Sequence, residues 1–220
     1  MPLFLEHVID TRSRLWFWQI LESELELLQM ASMGQAEARA QMVEALSEVK
    51  SPARRLEWLA TRALLAGILM DVPRIRHDAF GKPSLEGIPR HLSVTHSKGL
   101  VGVMLSEHQE IGLDAERMSD KIAQIAFKFL HPEQAEPLLS SRNMLHLYMH
   151  WCGKEALFKL YGKGGLDFKE QLHVHLETID DQGRFEGTIA KDGQERRVPM
   201  GHLLREDFLA VWTIAPSLTR

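Results

Sequence analysis

Two carboxylates stand two residues apart in Ile111-Gly112-Leu113-Asp114-Ala115-Glu116, a stretch that reads as a strand. Alternate strand residues share a face, so Asp114 and Glu116 are held close with little between them to soften their repulsion. Such a pair is either a solvated face or is answered by a cation, and a hard divalent ion is one candidate. Roughly forty residues on, Trp151-Cys152-Gly153-Lys154-Glu155-Ala156-Leu157-Phe158-Lys159 reads as helix, with Glu155 and Lys159 on one face at i,i+4. That is either a surface ion pair or a carboxylate and an ammonium turned toward one ligand. Gly81-Lys82-Pro83 and Ser93-Val94-Thr95-His96-Ser97 place a lysine in a tight turn and hydroxyl and imidazole groups at a strand end. These are ordinary loop residues or a set of donors for phosphate oxygens.

The elements that must position these groups follow from local pattern. Leu15 to Ile20 reads as a strand, and Glu22 to Gln29 and Gln35 to Val49 carry helical composition. Ser51-Pro52 is a helix start, because Ser caps free N–H groups and Pro is tolerated at the first helical position. The helix is predicted to run to about Met70, ended by Asp71 and Pro73, with Arg54, Arg55 and Arg62 along it. From Ile75 to Asp114, short strands separated by turns at 81–83 and 97–99 read as an antiparallel meander. Helices are predicted for Ile122 to Leu130, Pro132 to Leu139 and Asn143 to Tyr161, the last ending at Gly162. QLHVHLET, RFEGTIA, RRVPMGHLL and FLAVWTI are strand-like, with hairpin turns at 181–183 and 191–193. Helices followed by strands occur twice, which predicts an α+β chain of two similar halves, 1–109 and 110–220.

The composition narrows the function classes. The chain has 220 residues, 45% of them apolar and 25% charged, an average globular balance with enough apolar material for a core. A net charge of −4 argues against a general nucleic-acid binder. A single cysteine, Cys152, excludes an internal disulfide framework, favours a reducing and hence cytoplasmic setting, and is expected to be a packed thiol. MPLFLEHVID lacks a basic leading region and does not read as a secretory signal, and the longest apolar run, Ala63 to Met70, is far below the roughly 18 residues of a membrane span. His146 and His150 share a helix face, which raises a zinc hydrolase as an alternative, but no Glu follows His146 as a His-Glu-x-x-His site requires.

Taken in order, Gly-Lys-Pro, Thr-His-Ser, Gly-x-Asp-x-Glu and Trp-x-x-Lys-Glu-Ala-x-x-Lys resemble the motifs of the 4′-phosphopantetheinyl transferase superfamily, over roughly residues 54 to 168. The length and two-half layout look like its large, monomeric, pseudo-dimeric type, that of the surfactin-synthetase activator. The resemblance implies two similar halves with mainly antiparallel sheets packed around a shared cleft. It implies transfer of phosphopantetheine from coenzyme A, the co-substrate, to a serine of an apo acyl or peptidyl carrier protein, with no nucleic-acid or membrane partner. Position by position, it implies that Asp114, Glu116 and Glu155 hold Mg²⁺ or Mn²⁺. Glu155 would also take the serine proton, directly or through a water on the metal, and Lys159 would meet the pyrophosphate with Lys154 in support. Lys82, Thr95 and His96 fall on positions that contact coenzyme A phosphates, and Arg62 on one at the nucleotide end, with Arg54 and Arg55 as helpers. The resemblance also implies carrier docking near the cleft, on the C-terminal half; there, spacing and composition point to the helix around Lys121 to Lys128, where one or two of Ile122, Ile125, Ala126 and Phe129 are expected to stay exposed between lysines. A binding module that has lost catalysis is the other alternative. Its mark would be a missing carboxylate or lysine, and none of these is missing.

Overall fold

The computed structural model describes residues 3–107, 109–176 and 179–216. The chain forms two compact units, Met1–Asp78 with Pro83–Glu107 and Ala79–Lys82 with His108–Arg220. Each contains one antiparallel sheet and its own helices, so the fold is α+β. No helix among the described residues is long and apolar enough to cross a membrane.

The first unit holds strands β1 (Leu3–Val8) and β2 (Ser13–Gln19), helices α1 (Glu24–Ala31), α2 (Ala36–Ser47) and α3 (Pro52–Leu69), and strands β3 (Ile75–His77), β4 (Pro83–Leu85), β5 (His91–Ser97) and β6 (Leu100–Ser106). Its sheet runs β1-β2-β6-β5-β4-β3. Helix α3 begins as its sequence requires: the Ser51 hydroxyl accepts the Arg54 N–H at 3.5 Å, with Pro52 in the first turn. It ends where Met70 turns left-handed at φ 55°. Leu59, Ala60, Ala63 and Leu64 of α3 share a core with Trp18, Leu92, Val101, Val103 and Leu105 of the sheet.

The second unit holds β7 (Gln109–Arg117), helices α4 (Lys121–Phe129), α5 (Pro132–Ser140) and α6 (Met144–Tyr161), and strands β8 (Leu172–His175), β9 (Gln182–Lys191), β10 (Gln194–Leu204) and β11 (Phe208–Pro216). Its sheet runs β7-β11-β10-β9-β8. The predicted meander therefore stops at β6. Strand β7 leaves it for β11, pairing Asp114 with Val211 and Glu116 with Leu209. Turn spacing shows that one strand follows another, but partner choice depends on which pairing buries both faces, and β11 offers apolar residues from Phe208 to Val211 that are all buried. The expected turn at 181–183 is also displaced, since Gln182 already pairs with Leu203 in β9. Glu177 and Thr178 of the expected preceding strand lie outside the described residues. The 191–193 turn forms as read: Lys191 pairs with Gln194, and Asp192 and Gly193 take φ of 52° and 75°, the left-handed pair a two-residue hairpin needs.

Helix α6 is the spine of this unit. The Asn143 side chain caps it by accepting the His146 N–H at 3.2 Å, and Gly162 ends it at φ 66°. Its Met149, Cys152, Ala156, Leu157 and Leu160 are buried in one core with Leu172, Ile189, Leu209 and Val211 of the sheet. Two glycines let it lie close. A Cβ on Gly153 would stand 2.8 Å from Val174 Cγ2, and a Cβ on Gly112 of β7 would stand only 1.9 Å from the Ala156 carbonyl oxygen. The helix propensity forgone at Gly153, about 1 kcal/mol, is the cost of that fit. Because the Gly112 clash is with backbone, no side-chain rotation relieves it. Gly112→Ala is expected to cost about 3 kcal/mol or more in urea unfolding, whereas Gly193→Ala, with nothing near its Cβ, is expected to cost only its backbone strain. A Gly112→Ala protein of wild-type stability would refute the close approach.

Candidate active site

Within the second unit, Asp114 on β7 is buried and its Oδ1 accepts Lys159 Nζ at 2.7 Å; the same ammonium donates to the Leu113 carbonyl at 2.9 Å. Lys159 comes from α6, and Glu155, one turn before it, lies on the same face. Burial first, and then the negative charge of Asp114, push the Glu155 carboxyl up to about 7; Lys159 lowers it, and Glu116 adds a smaller rise. The three carboxylates and Lys159 predicted from two separate motifs are thus electrostatically coupled in the structure. The ion pair that forms is Lys159 with Asp114, not the i,i+4 pair of Glu155 with Lys159 that the helix alone suggests.

Among the described residues, no group of three or more His, Cys, Asp or Glu side chains is gathered closely enough to hold a metal ion as it stands. At Asp114 the cation is the Lys159 ammonium. The donor set nevertheless fits a hard divalent ion in kind: it is made of carboxylates, and the Glu155 carboxyl is held up to about 7 by burial first and then by neighbouring negative charge, the part a bound cation relieves.

Other predicted residues are placed differently. Lys154 does not face this cluster: its buried ammonium donates to the Phe129 carbonyl at 2.7 Å and to the Phe168 carbonyl at 2.6 Å, and burial lowers it to about 8. It ties α6 to the end of α4. Lys82, part of the four-residue segment that belongs to this unit, donates to the Leu160 carbonyl at the end of α6 at 3.0 Å. Its stem crosses Gly162, where a Cβ would meet Lys82 Cδ at 2.6 Å. Cys152 is a fully buried thiol pushed well up, by burial first and then by Asp114 and Glu116, so it is a packed residue and not a nucleophile. His146 Nδ1 lies 2.9 Å from the Asn143 side-chain amide, and His150 is held down to about 4, by burial first and then by Lys154 and His146. No third ligand gathers with them among the described residues, so they form no zinc site there. On α4, Ile122, Ala126 and Phe129 are buried, and the exposed apolar residue is Phe127, which the sequence reading did not name.

In the first unit, Thr95 and His96 are adjacent on β5 and so point to opposite faces: Thr95 is buried and His96 exposed. His96 Nδ1 lies 3.4 Å from Glu57 Oε2 of α3. Arg62, one turn along α3 from Trp58, lies with Cζ 3.3 Å from the indole centroid and donates to the Trp58 carbonyl at 3.2 Å. Burial lowers its guanidinium to about 9. Arg55 is not a ligand helper: it forks onto Glu24 of α1 at 2.7 and 2.5 Å and donates to the Leu46 carbonyl. Glu57 and Trp58 were missed because neither belongs to a recognisable motif, although helical spacing does set Trp58 one turn before Arg62.

Residues 110–214, which contain Asp114, Glu116, Lys154, Glu155 and Lys159, match the model of the 4′-phosphopantetheinyl transferase superfamily. That stretch, just under half of the chain, is similar to the superfamily. The chain is 28% identical over 123 residues to the 4′-phosphopantetheinyl transferase AcpT of Salmonella typhi, covering 53% of this chain and 64% of that protein. It is 28% identical over 115 residues to AcpT of Escherichia coli, covering 50% and 59%, and 27% identical over 113 residues to a 4′-phosphopantetheinyl transferase of Bacillus subtilis, covering 46% and 50%. The chain thus spans less than two thirds of the length of these curated relatives.

The Glu155 carboxyl has a stability consequence. Its folded value of about 7 lies above the ordinary 4.5, so the neutral acid is favoured by folding. Below pH 4.5 both states hold the proton and that stability is fully present; between 4.5 and about 7 the unfolded chain ionises first and the stability is lost. The loss is about 3 kcal/mol at most, reduced by the group's partial contact with solvent. Glu155→Gln is therefore expected to raise the Tm of the cation-free protein at pH 8 and to leave it unchanged near pH 4.5. A Tm difference that does not vary with pH would count against the coupling.

Proposed function

We propose that this protein transfers 4′-phosphopantetheine from coenzyme A to a serine of an apo carrier protein, releasing adenosine 3′,5′-bisphosphate. The observation that supports the reading is the electrostatic coupling of Glu155 to Asp114, Lys159 and Glu116, with Lys159 paired to Asp114, within the stretch that matches the superfamily. The serine oxygen attacks the phosphorus that bears pantetheine, the anhydride bond to the leaving phosphate breaks, and the serine proton passes to Glu155. In the cation-free protein the Glu155 carboxyl is held to about 7 and accepts a proton more readily at neutral pH than an ordinary carboxylate; a bound cation would offset part of that rise. Asp114, Glu116 and Glu155 would hold a divalent cation, Mg²⁺ or Mn²⁺, which supplies charge neutralisation on the pyrophosphate when bound. Lys159 orients Asp114 and uses two of its three N–H donors on Asp114 and Leu113, leaving one for a phosphate oxygen.

Lys82, His96 and Arg62 are the donors proposed for coenzyme A phosphates, and Lys154 supports the site by fixing α6 to α4. The large, monomeric, pseudo-dimeric type is supported by the two units, each an antiparallel sheet with helices of its own. Carrier docking is proposed on α4, where Lys121 and Lys128 flank an exposed Phe127. A carrier with an acidic helix beside its serine is attracted there locally, since the chain as a whole carries −4.

Mass spectrometry of apo carrier proteins incubated with the protein, coenzyme A and Mg²⁺ is expected to show one added phosphopantetheine. Asp114→Ala and Glu155→Ala are expected to abolish the addition while the variants stay folded by circular dichroism. An unchanged rate in Asp114→Ala would overturn the assignment. For docking, Lys121→Glu with Lys128→Glu is expected to raise the KM for an acidic carrier several-fold at low salt, with the difference shrinking as salt rises. A KM that stays at the wild-type value would move docking off α4.

A further inference from the structure

Arg62 is a largely buried cation that no carboxylate among the described residues answers. Among the described residues it forms no ion pair, although Arg14, Arg55, Arg76, Arg90, Arg117 and Arg196 all do. The carboxylate nearest to it along α3, Glu57, faces His96 instead. Burial alone pulls the guanidinium down to about 9, so it remains charged at neutral pH. What holds it is Trp58: the indole lies under the guanidinium at 3.3 Å, and the Trp58 carbonyl takes one N–H at 3.2 Å.

The geometry has a local cause. Long side chains on a helix lean back toward its N-terminus, so Arg62 covers the turn that carries Trp58. The indole itself is partly buried against the core of the first unit, which makes it a fixed shelf. A ring face stabilises a cation without neutralising it, and it has no acceptor that competes for the N–H groups at the guanidinium edge. One of five donors is used on the Trp58 carbonyl; the others lie in the plane, where a phosphate fits side-on.

We propose that Trp58 is a positioning residue that holds the Arg62 guanidinium flat, fixed and charged to receive a phosphate group. Taking that phosphate to be one of those on coenzyme A rests on the proposed function; that an anion is received at all does not. Trp58 touches no ligand in this scheme and acts through Arg62.

The test is calorimetric titration of wild type, Trp58→Leu, Trp58→Phe and Arg62→Ala, each with coenzyme A and separately, in the presence of EDTA, with inorganic pyrophosphate. Trp58→Leu is expected to weaken both by about 5- to 30-fold, approaching Arg62→Ala, and Trp58→Phe to recover most of the loss because a ring face remains. In steady-state transfer, the coenzyme A KM of Trp58→Leu is expected to rise far more than kcat falls. If wild type binds coenzyme A and Trp58→Leu binds it equally, the proposal is overturned while the transferase reading stands. If Trp58→Phe is as weak as Trp58→Leu and both lose thermal stability in parallel, Trp58 is a core residue only and the proposal is again overturned. Pyrophosphate binding that depends on Trp58 in a protein inactive on every carrier would keep the proposal and overturn the transferase reading. Wild type that binds neither anion overturns both.

Discussion

Strand β7 and helix α6 touch backbone to backbone at Gly112, where the Ala156 carbonyl oxygen stands 1.9 Å from the point a Cβ would occupy. The chemistry of the second unit depends on that contact. Strand alternation puts Gly112, Asp114 and Glu116 on one face, so the face that admits the helix is also the face that carries the carboxylates. On α6, Glu155 immediately precedes Ala156 and Lys159 lies three residues after it, so the helix that presses on Gly112 brings both groups to the strand. A larger residue at 112 would lift the helix and lengthen the 2.7 Å bond from Lys159 to Asp114. Packing and site geometry are one constraint here.

Charge then settles what the cluster can do. Asp114 is matched by Lys159, and Glu155 is matched by its own proton, held to about 7 by burial and by like charge. Both arrangements are responses to partial dehydration, which penalises any charge that lacks a partner. They leave the cluster poised near neutral pH: the proton on Glu155 is easily lost, and a bound cation would favour its loss. Such poise costs stability, which is why a well-packed unit retains it only where the groups serve a purpose.

How much of this was legible in the sequence follows from the range of each interaction. Helix α3 could be read from Ser51-Pro52, and α6 from its length and terminal glycine, because caps are local. The cluster at Asp114, Glu155 and Lys159 could be read as motif order. The exit of β7 from the meander could not, since its partner β11 lies about a hundred residues away and no turn records it. Arg55 was equally opaque: its carboxylate, Glu24, is on another helix. Lys154 and Thr95 are different cases. Periodicity turns Lys154 about 100° from Glu155 on a helix and sets Thr95 opposite His96 on a strand, so motif membership grouped residues that geometry separates.

That separation leads to a distinction among the cations. Lys159 is matched by a full carboxylate, whereas Lys154 is held by the carbonyls of Phe129 and Phe168 and Arg62 by the face and carbonyl of Trp58. Carbonyls and ring faces are dipoles and quadrupoles; they offset part of the desolvation cost but leave the net charge in place. For Lys154, two strong bonds take two of the three donors of a deeply buried ammonium, and the charge serves to lock α6 against α4. For Arg62, one bond and one ring face leave most of the donors open, and the charge keeps its field. In a chain that carries −4 overall, fields beyond a Debye length of roughly 8–10 Å are screened, so attraction of a polyanion rests on such local cations. The number of basic residues matters less than how each is held.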